Sequence, residues 1–147
     1  MIDIENFVFG RVANRLRAKY ANTDGSPAIF VAGEATDIPA RFPAVTIVEA
    51  SNSVVQRMRT VRNIENAASV MYEVNIYSNL TGYKKSQAKE ILQEIDAEFA
   101  EMGLARTMAN PISNLQDATI YRIVARYEGV VTAEVGVDDT VYRVYAN

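Results

Sequence analysis

The sequence contains no histidine, no cysteine and no tryptophan among its 147 residues. Without histidine or cysteine there is no Ser-His-Asp triad, no thiolate nucleophile and no imidazole to shuttle protons near neutral pH. Structural zinc sites lose their usual ligands, and no disulfide can form. The missing cysteines suit assembly in a cytoplasm without reporting on compartment. A dominant charge is absent too: 15 Lys and Arg stand against 18 Asp and Glu, a net of -3. That balance describes neither a nucleic-acid sponge nor a membrane-surface binder. No apolar run approaches the roughly 20 residues that span a bilayer. The start, Met1-Ile2-Asp3-Ile4-Glu5-Asn6, is acidic from the third position, opposite to the basic start of a signal peptide. What remains is 49% hydrophobic and 22% charged residues, the composition of a folded core at a length that fits one domain.

Residues 4–20 read as a helix. Ile4, Val8, Val12, Leu16 and Tyr20 recur at every fourth position, and Arg11, Arg15 and Lys19 form a basic ridge beside them. Asp3 is the candidate N-cap, and Ile2 with Phe7 has the spacing of a hydrophobic staple. Short strands follow at 28–32 and 44–49, separated by a loop or arm at 33–43 that contains Pro39 and Pro43. Ser51-Asn52-Ser53 reads as a break, and 54–66 fits no single element. Residues 68–78 form the longest strand candidate, with Val70, Tyr72, Val74 and Ile76 on one face. The second helix carries one apolar stripe: Ala88, Ile91, Leu92, Ile95, Phe99 and Met102. Ser86 is its candidate cap, and Gly103 sits where a left-handed C′ residue belongs. A short strand at 104–108, a loop at 110–114 and an alternating strand at 118–127 come next. A turn or bulge at Glu128-Gly129 and a C-terminal β-hairpin from 130–137 and 141–145 complete the chain. The expected fold is one α+β domain over residues 1–147, a largely antiparallel (mixed) β-sheet flanked by two main α-helices.

The charges of the second helix oppose its dipole. Lys84, Lys85 and Lys89 lie near the positive end, Glu98 and Glu101 near the negative one. Glu90, Glu94 and Glu98 also repel one another at i,i+4 spacing, at a cost of about 0.2–0.5 kcal/mol per pair. Such a helix either displays charge for a partner or tolerates a solvent face. Arginine outnumbers lysine by eleven to four, which suits fixed bidentate pairing. Arg57, Arg59 and Arg62, with Arg11 and Arg15, are the main basic candidates. Solvated or intrachain pairs, intersubunit pairing and nucleic-acid contact all stay open for them, although no aromatic residue stands beside the cluster. Tyr72, Tyr77, Tyr121, Tyr127, Tyr142 and Tyr145 fall on expected strands, as sheet packing or as a sheet-edge interface.

Catalytic routes are few. Asp138-Asp139 is an adjacent carboxylate pair at the hairpin tip, where turn chemistry explains it without catalysis. Glu128 and Glu134 fall on the last strands. A hard-cation site built from Asp and Glu oxygens lacks a D-x-D-x-D-G loop. Gly82-Tyr83-Lys84-Lys85-Ser86 lacks the spacing of a phosphate-cradling loop and reads as a plain loop-to-helix junction. No catalytic, cofactor-binding or metal-ligating residue is assigned.

One resemblance spans several segments. Tyr72-Glu73-Val74-Asn75-Ile76-Tyr77-Ser78-Asn79 leads to the helix at 85–102 with Gly103-Leu104 after it. Asn114 and the run Ala118-Thr119-Ile120-Tyr121-Arg122-Ile123-Val124-Ala125-Arg126-Tyr127 follow. In this order they resemble the small tail-completion or tail-terminator proteins of long-tailed bacteriophages. The resemblance covers roughly residues 67–131 and, more loosely, the opening helix, and each motif is a strand or helix consensus. It implies a sheet flanked by two helices, assembled as a hexameric ring at the head-proximal end of the tail tube. Such a ring stops tube polymerisation and joins the tail to the head connector.

The implied partners are copies of the chain, the major tail tube protein and the head connector or stopper protein. DNA only passes through the lumen, and no membrane, cofactor or enzymatic activity is implied. The place is the virion neck, with assembly in the host cytoplasm. Interface candidates are Arg11, Arg15, Arg57, Arg59, Arg62, Glu90, Glu94, Glu98, Arg122 and Arg126. The Arg-bearing front helix and the acidic second helix are the expected halves of a head-to-tail contact, and the 33–43 loop an arm toward a neighbour. Alternatives are a head-to-tail adaptor of the same particle, a small carboxylate- or metal-dependent enzyme, or a nucleic-acid binder.

Overall fold

The apolar repeat that begins at Ile4 folds as helix α1 (Glu5–Lys19), which buries Val8, Val12, Ala13 and Leu16. The computed structural model describes residues 2–34, 39–55, 67–113, 117–135 and 140–145, the side chains of 133–135 and 140–145 excepted. Ile4 is the N-cap of α1 and forms no side-chain cap bond. Asp3 does that work from one residue further out, its carboxylate accepting the Glu5 backbone N–H at 3.0 Å. The staple does not form, because Ile2 is buried while Phe7 is 52% exposed. Phe7 instead lies under the Arg11 guanidinium, 5.7 Å from its ring centre.

After α1 come β1 (Phe30–Ala32), β2 (Ala44–Val54), β3 (Ala67–Ser78), α2 (Lys84–Glu101), β4 (Ala105–Ser113), β5 (Tyr121–Val135) and β6 (Thr140–Tyr145). The strands make one six-stranded sheet in the order β1-β2-β3-β5-β4, with β6 also paired to β5. β1 runs parallel to β2, and the other pairings are antiparallel. The fold is therefore α+β, a mixed and largely antiparallel sheet with two helices. β5 is its spine. One edge of β5 pairs with β3 over residues 121–132. The other edge serves β4 as far as Glu128 and β6 from Val130 onward.

That division corrects the expected turn at Glu128-Gly129. The strand runs through it, and what changes there is the neighbour. Ser51-Asn52-Ser53 likewise continues β2, because a register shift between Glu49 and Ser51 absorbs Ala50 as a bulge. Asn52 is held there by donating its Nδ2 to the Ile2 carbonyl at 2.7 Å. Asn110-Pro111 continues β4, which pairs only with β5 among the described residues. On such an edge a missing proline N–H costs no ladder bond. Of the strand expected at 28–32, only Phe30–Ala32 is extended and paired.

Helix α2 begins at Lys84 with Tyr83 as N-cap and no side-chain cap, so Ser86 lies inside the first turn rather than capping it. Gly82 takes a φ of 81° in the turn before it, which brings the chain around early. The other end stops as the sequence implies. Gly103 has a φ of 86°, its N–H donates to the Ala100 carbonyl at 3.1 Å, and Leu104 N–H donates to the Phe99 carbonyl at 2.9 Å. Those are the two bonds of a Schellman stop.

Both helices pack on one face of the sheet, α1 against β2 and α2 against β3, β5 and β4. Tyr72, Val74, Ile76, Ile123 and Tyr127 of the sheet meet Val12, Leu16, Ile91, Ile95 and Phe99 of the helices in one core. At its centre Phe99 stacks on Tyr127, with ring centres 4.0 Å apart and planes 6° from parallel. Burying each side chain of this size stabilises by about 1.5–3 kcal/mol. On the opposite face Ala44, Tyr77 and Ile120 form a second, smaller cluster with Phe30 and Phe42 packed against it. Among the described residues no helix is long and apolar enough to cross a membrane.

Candidate functional site

Because α1 and α2 run antiparallel side by side, the basic ridge of the first falls on the acidic ridge of the second. Arg11 Nε lies 2.6 Å from Glu98 Oε1. Arg15 forks, with Nε 3.0 Å from Glu94 Oε2 and Nη1 3.0 Å from Glu98 Oε2. Lys19 Nζ closes the row 2.6 Å from Glu94 Oε1. Glu101 sits at the rim, 3.4 Å from Arg15 and 3.6 Å from Arg11.

Glu98 is the deepest member, with a side chain 7% exposed. Burial acts to raise its carboxyl, but hydrogen bonds from Arg15 and Arg11 outweigh that and hold it below the ordinary carboxylate range. Lys19 first, and then Arg15, lower Glu94 in the same way. The hydrogen bonds to Glu98 and Glu94 push the Arg15 guanidinium up. The repulsion between Glu94 and Glu98 along α2 is thus offset by cations one helix away.

This changes the role of four sequence candidates. Arg11, Arg15, Glu94 and Glu98, for which the resemblance suggested pairing across a subunit boundary while intrachain pairing of the arginines also stood open, satisfy one another inside a single chain. An i,i+4 charge ridge matches any antiparallel ridge of opposite sign, and its sequence does not say whose. Glu90, one turn before Glu94, is exposed. Burial pushes the Tyr20 hydroxyl up to about 12, with Glu90 and Glu94 adding to the effect.

Arg122 and Arg126 lie on the sheet face away from the helices. Arg126 pairs across to β3, with Nε and Nη2 each 3.2 Å from Glu73 Oε2. Arg122 Nε donates to Asn75 Oδ1 at 3.0 Å, and its guanidinium covers the Tyr77 ring at 5.2 Å. These contacts lace β5 to β3. Arg57, Arg59, Arg62, the Asp138-Asp139 pair and the middle of the 33–43 arm lie outside the described residues.

Two constellations escaped the sequence reading. Asp3, Glu5 and Glu49 bring carboxylate oxygens within 4.8 Å of one another. Two of the three have partners in the chain: Asp3 caps α1, and Glu49 Oε1 accepts from the Tyr72 hydroxyl at 3.2 Å and from Asn52 Nδ2 at 3.3 Å. Burial pushes the Glu49 carboxyl up, and those two hydrogen bonds oppose it. Only the packing of α1 on β2 unites the three, so no local motif announces them.

The second constellation is a groove between α2 and β4. Its larger part, about 440 Å³, is lined by Lys84, Pro111, Ile112 and Tyr121 among others. An adjoining part of about 300 Å³ shares Pro111 and Tyr121 and adds Lys85, Lys89, Leu92 and Arg106. The wrong-way lysines of α2 were the sequence signal for it. No protein-family model matches the chain, and no curated protein matches it.

Proposed function

We propose that the chain is a structural virion protein that forms a ring at the head-proximal end of a bacteriophage tail tube. There it ends tube polymerisation and joins the tail to the head connector. The observation that carries this reading is the architecture, a mixed sheet with two helices packed on it, in keeping with the sheet flanked by two helices that the resemblance of residues 67–131 implies. Arg11, Arg15, Glu94 and Glu98 hold the two helices together within the chain, so a ring contact has to use other surfaces. On this reading the chain works by binding, not by catalysis. Its partners are its own copies, the tube protein and the connector, with DNA passing through the lumen.

The test is to add purified chain to polymerising tail tube protein and to follow tube length by electron microscopy. Shortened tubes bearing a terminal ring are expected. Tubes that grow uncapped at their normal length would contradict the reading, and a chain that binds connector but ignores tube would be the adaptor of the same particle.

A further inference from the structure

We propose that the groove between α2 and β4 receives the acidic start of α1 from a second copy of this chain. The inference deepens the ring reading and rests on it for closure of the assembly. Four cations line the groove, Lys84, Lys85, Lys89 and Arg106, over an apolar floor that includes Leu92, Pro111 and Tyr121. Two of them are already engaged. Arg106 Nη1 pairs with Asp96 Oδ2 at 3.3 Å, and Lys84 Nζ donates to the Thr119 carbonyl at 3.4 Å. Lys85 and Lys89 are exposed and have no ion-pair partner among the described residues.

Their position is costly for the isolated fold. Lys85 stands in the first turn of α2 and Lys89 one turn further along the same face, at the positive end of a helix dipole whose first turn has no acidic residue and no side-chain cap. An external carboxylate seated there meets the lysines and the dipole together. Apolar surface surrounds the same end: Ile112 is 39% exposed, and Leu80 and Tyr83, in the turn leading into α2, are 47% and 67% exposed.

The matching surface lies elsewhere on the chain. Asp3, Glu5 and Glu49 cluster at the start of α1, and Phe7, 52% exposed, follows on the same helix under the Arg11 guanidinium. α1 packs on β2 near the β1 edge, whereas the groove opens at the β4 edge. The helices are antiparallel, so the acidic patch and the basic groove also lie at opposite ends of the helix pair. One copy therefore cannot satisfy itself. A contact between unlike patches is head-to-tail, the kind that propagates into rings or filaments. Asp3 and Glu5, which have no ion-pair partner among the described residues, supply the counter-charge for Lys85 and Lys89, and exposed Phe7 on the same helix supplies apolar surface for the groove floor.

The test uses the full chain in low salt, with mass measured by light scattering and shape by electron microscopy. Three variants are compared with wild type: Lys85→Glu with Lys89→Glu; Asp3→Asn with Glu5→Lys, where Asn keeps the capping oxygen; and all four changes together. Each pair alone is expected to weaken association at least tenfold, and the combination to restore it. The Lys85→Glu, Lys89→Glu monomer should melt at a higher temperature than wild-type monomer, because the α2 dipole is then complemented. Loss of assembly from a better-folded subunit is a result that a purely structural role for these lysines does not produce. Rings that persist unchanged in either pair overturn the contact and leave the ring reading standing. Open filaments or dimers that charge reversal dissolves keep the contact and overturn the ring. A wild-type chain that stays monomeric at every concentration overturns both.

Discussion

Glu98→Gln removes one negative charge from the middle of the helix–helix network while keeping the side chain's size and one acceptor oxygen. Two guanidinium groups converge on that carboxylate, Arg11 Nε at 2.6 Å and Arg15 Nη1 at 3.0 Å. A hydrogen bond to a charged partner contributes about 1.5–3 kcal/mol. The gain here is smaller, because the Arg11 and Arg15 side chains are 42% and 30% exposed and regain water when released. The expected loss is about 1–3 kcal/mol in all. At about 2–4 °C per kcal/mol for a chain of this size, the melting temperature falls by roughly 2–12 °C. Glu90→Gln, on the same helix but exposed, is the control and should stay within about 0.5 kcal/mol of wild type.

Urea unfolding followed by circular dichroism measures both variants, and pH supplies the second axis. The Glu98 carboxyl is depressed in the folded chain. Its stabilisation is therefore fully present above the unfolded value near about 4.3, and is lost as pH falls through the lower folded value. The gap between wild type and Glu98→Gln should be full at pH 7 and narrow progressively below about pH 4. If Glu98→Gln unfolds with Glu90→Gln at pH 7, or the gap persists unchanged in acid, the network does not hold the helices together.

Other perturbations probe the core and the helix stop. Phe99→Ala removes the ring stacked on Tyr127 and should cost about 3–5 kcal/mol in denaturant midpoints, with loss of the near-ultraviolet signal. Tyr127→Phe keeps that stack but loses the hydroxyl's hydrogen bond to the Asp96 carboxylate, for about 1 kcal/mol in the same assay. Gly103→Ala places a side chain at a φ of 86° and should cost about 1 kcal/mol, read as a lower melting temperature with unchanged helix content.

The elements that were legible in the sequence are those whose periodicity is long. The stripe from Ala88 to Met102 and the α1 repeat from Ile4 each bury the face they mark, and Val70, Tyr72, Val74 and Ile76 all point into the core. What the sequence misstates are three breaks. Ser51-Asn52-Ser53, Asn110-Pro111 and Glu128-Gly129 all carry local turn chemistry, yet each lies in a strand because a neighbouring strand supplies its ladder. Pairing partners are distant in sequence, so local signals cannot weigh them. The charged side chains were legible as residues and illegible as pairs. Glu94 and Glu98 read equally as a solvent face or as half of a pairing, and only the antiparallel docking of α1 on α2 identifies their partners as Arg11, Arg15 and Lys19. The groove at β4 was half visible, in lysines set against a helix dipole, and lacked its apolar floor until β4 extended through Pro111.

The ring at the end of a tail tube is the central claim, and tube length tests it most directly. Tail tube protein polymerised with and without this chain, imaged by electron microscopy, should give tubes that stop early and end in a ring of the chain. Tubes of undiminished length with bare ends, at chain concentrations well above those of tube ends, would contradict it.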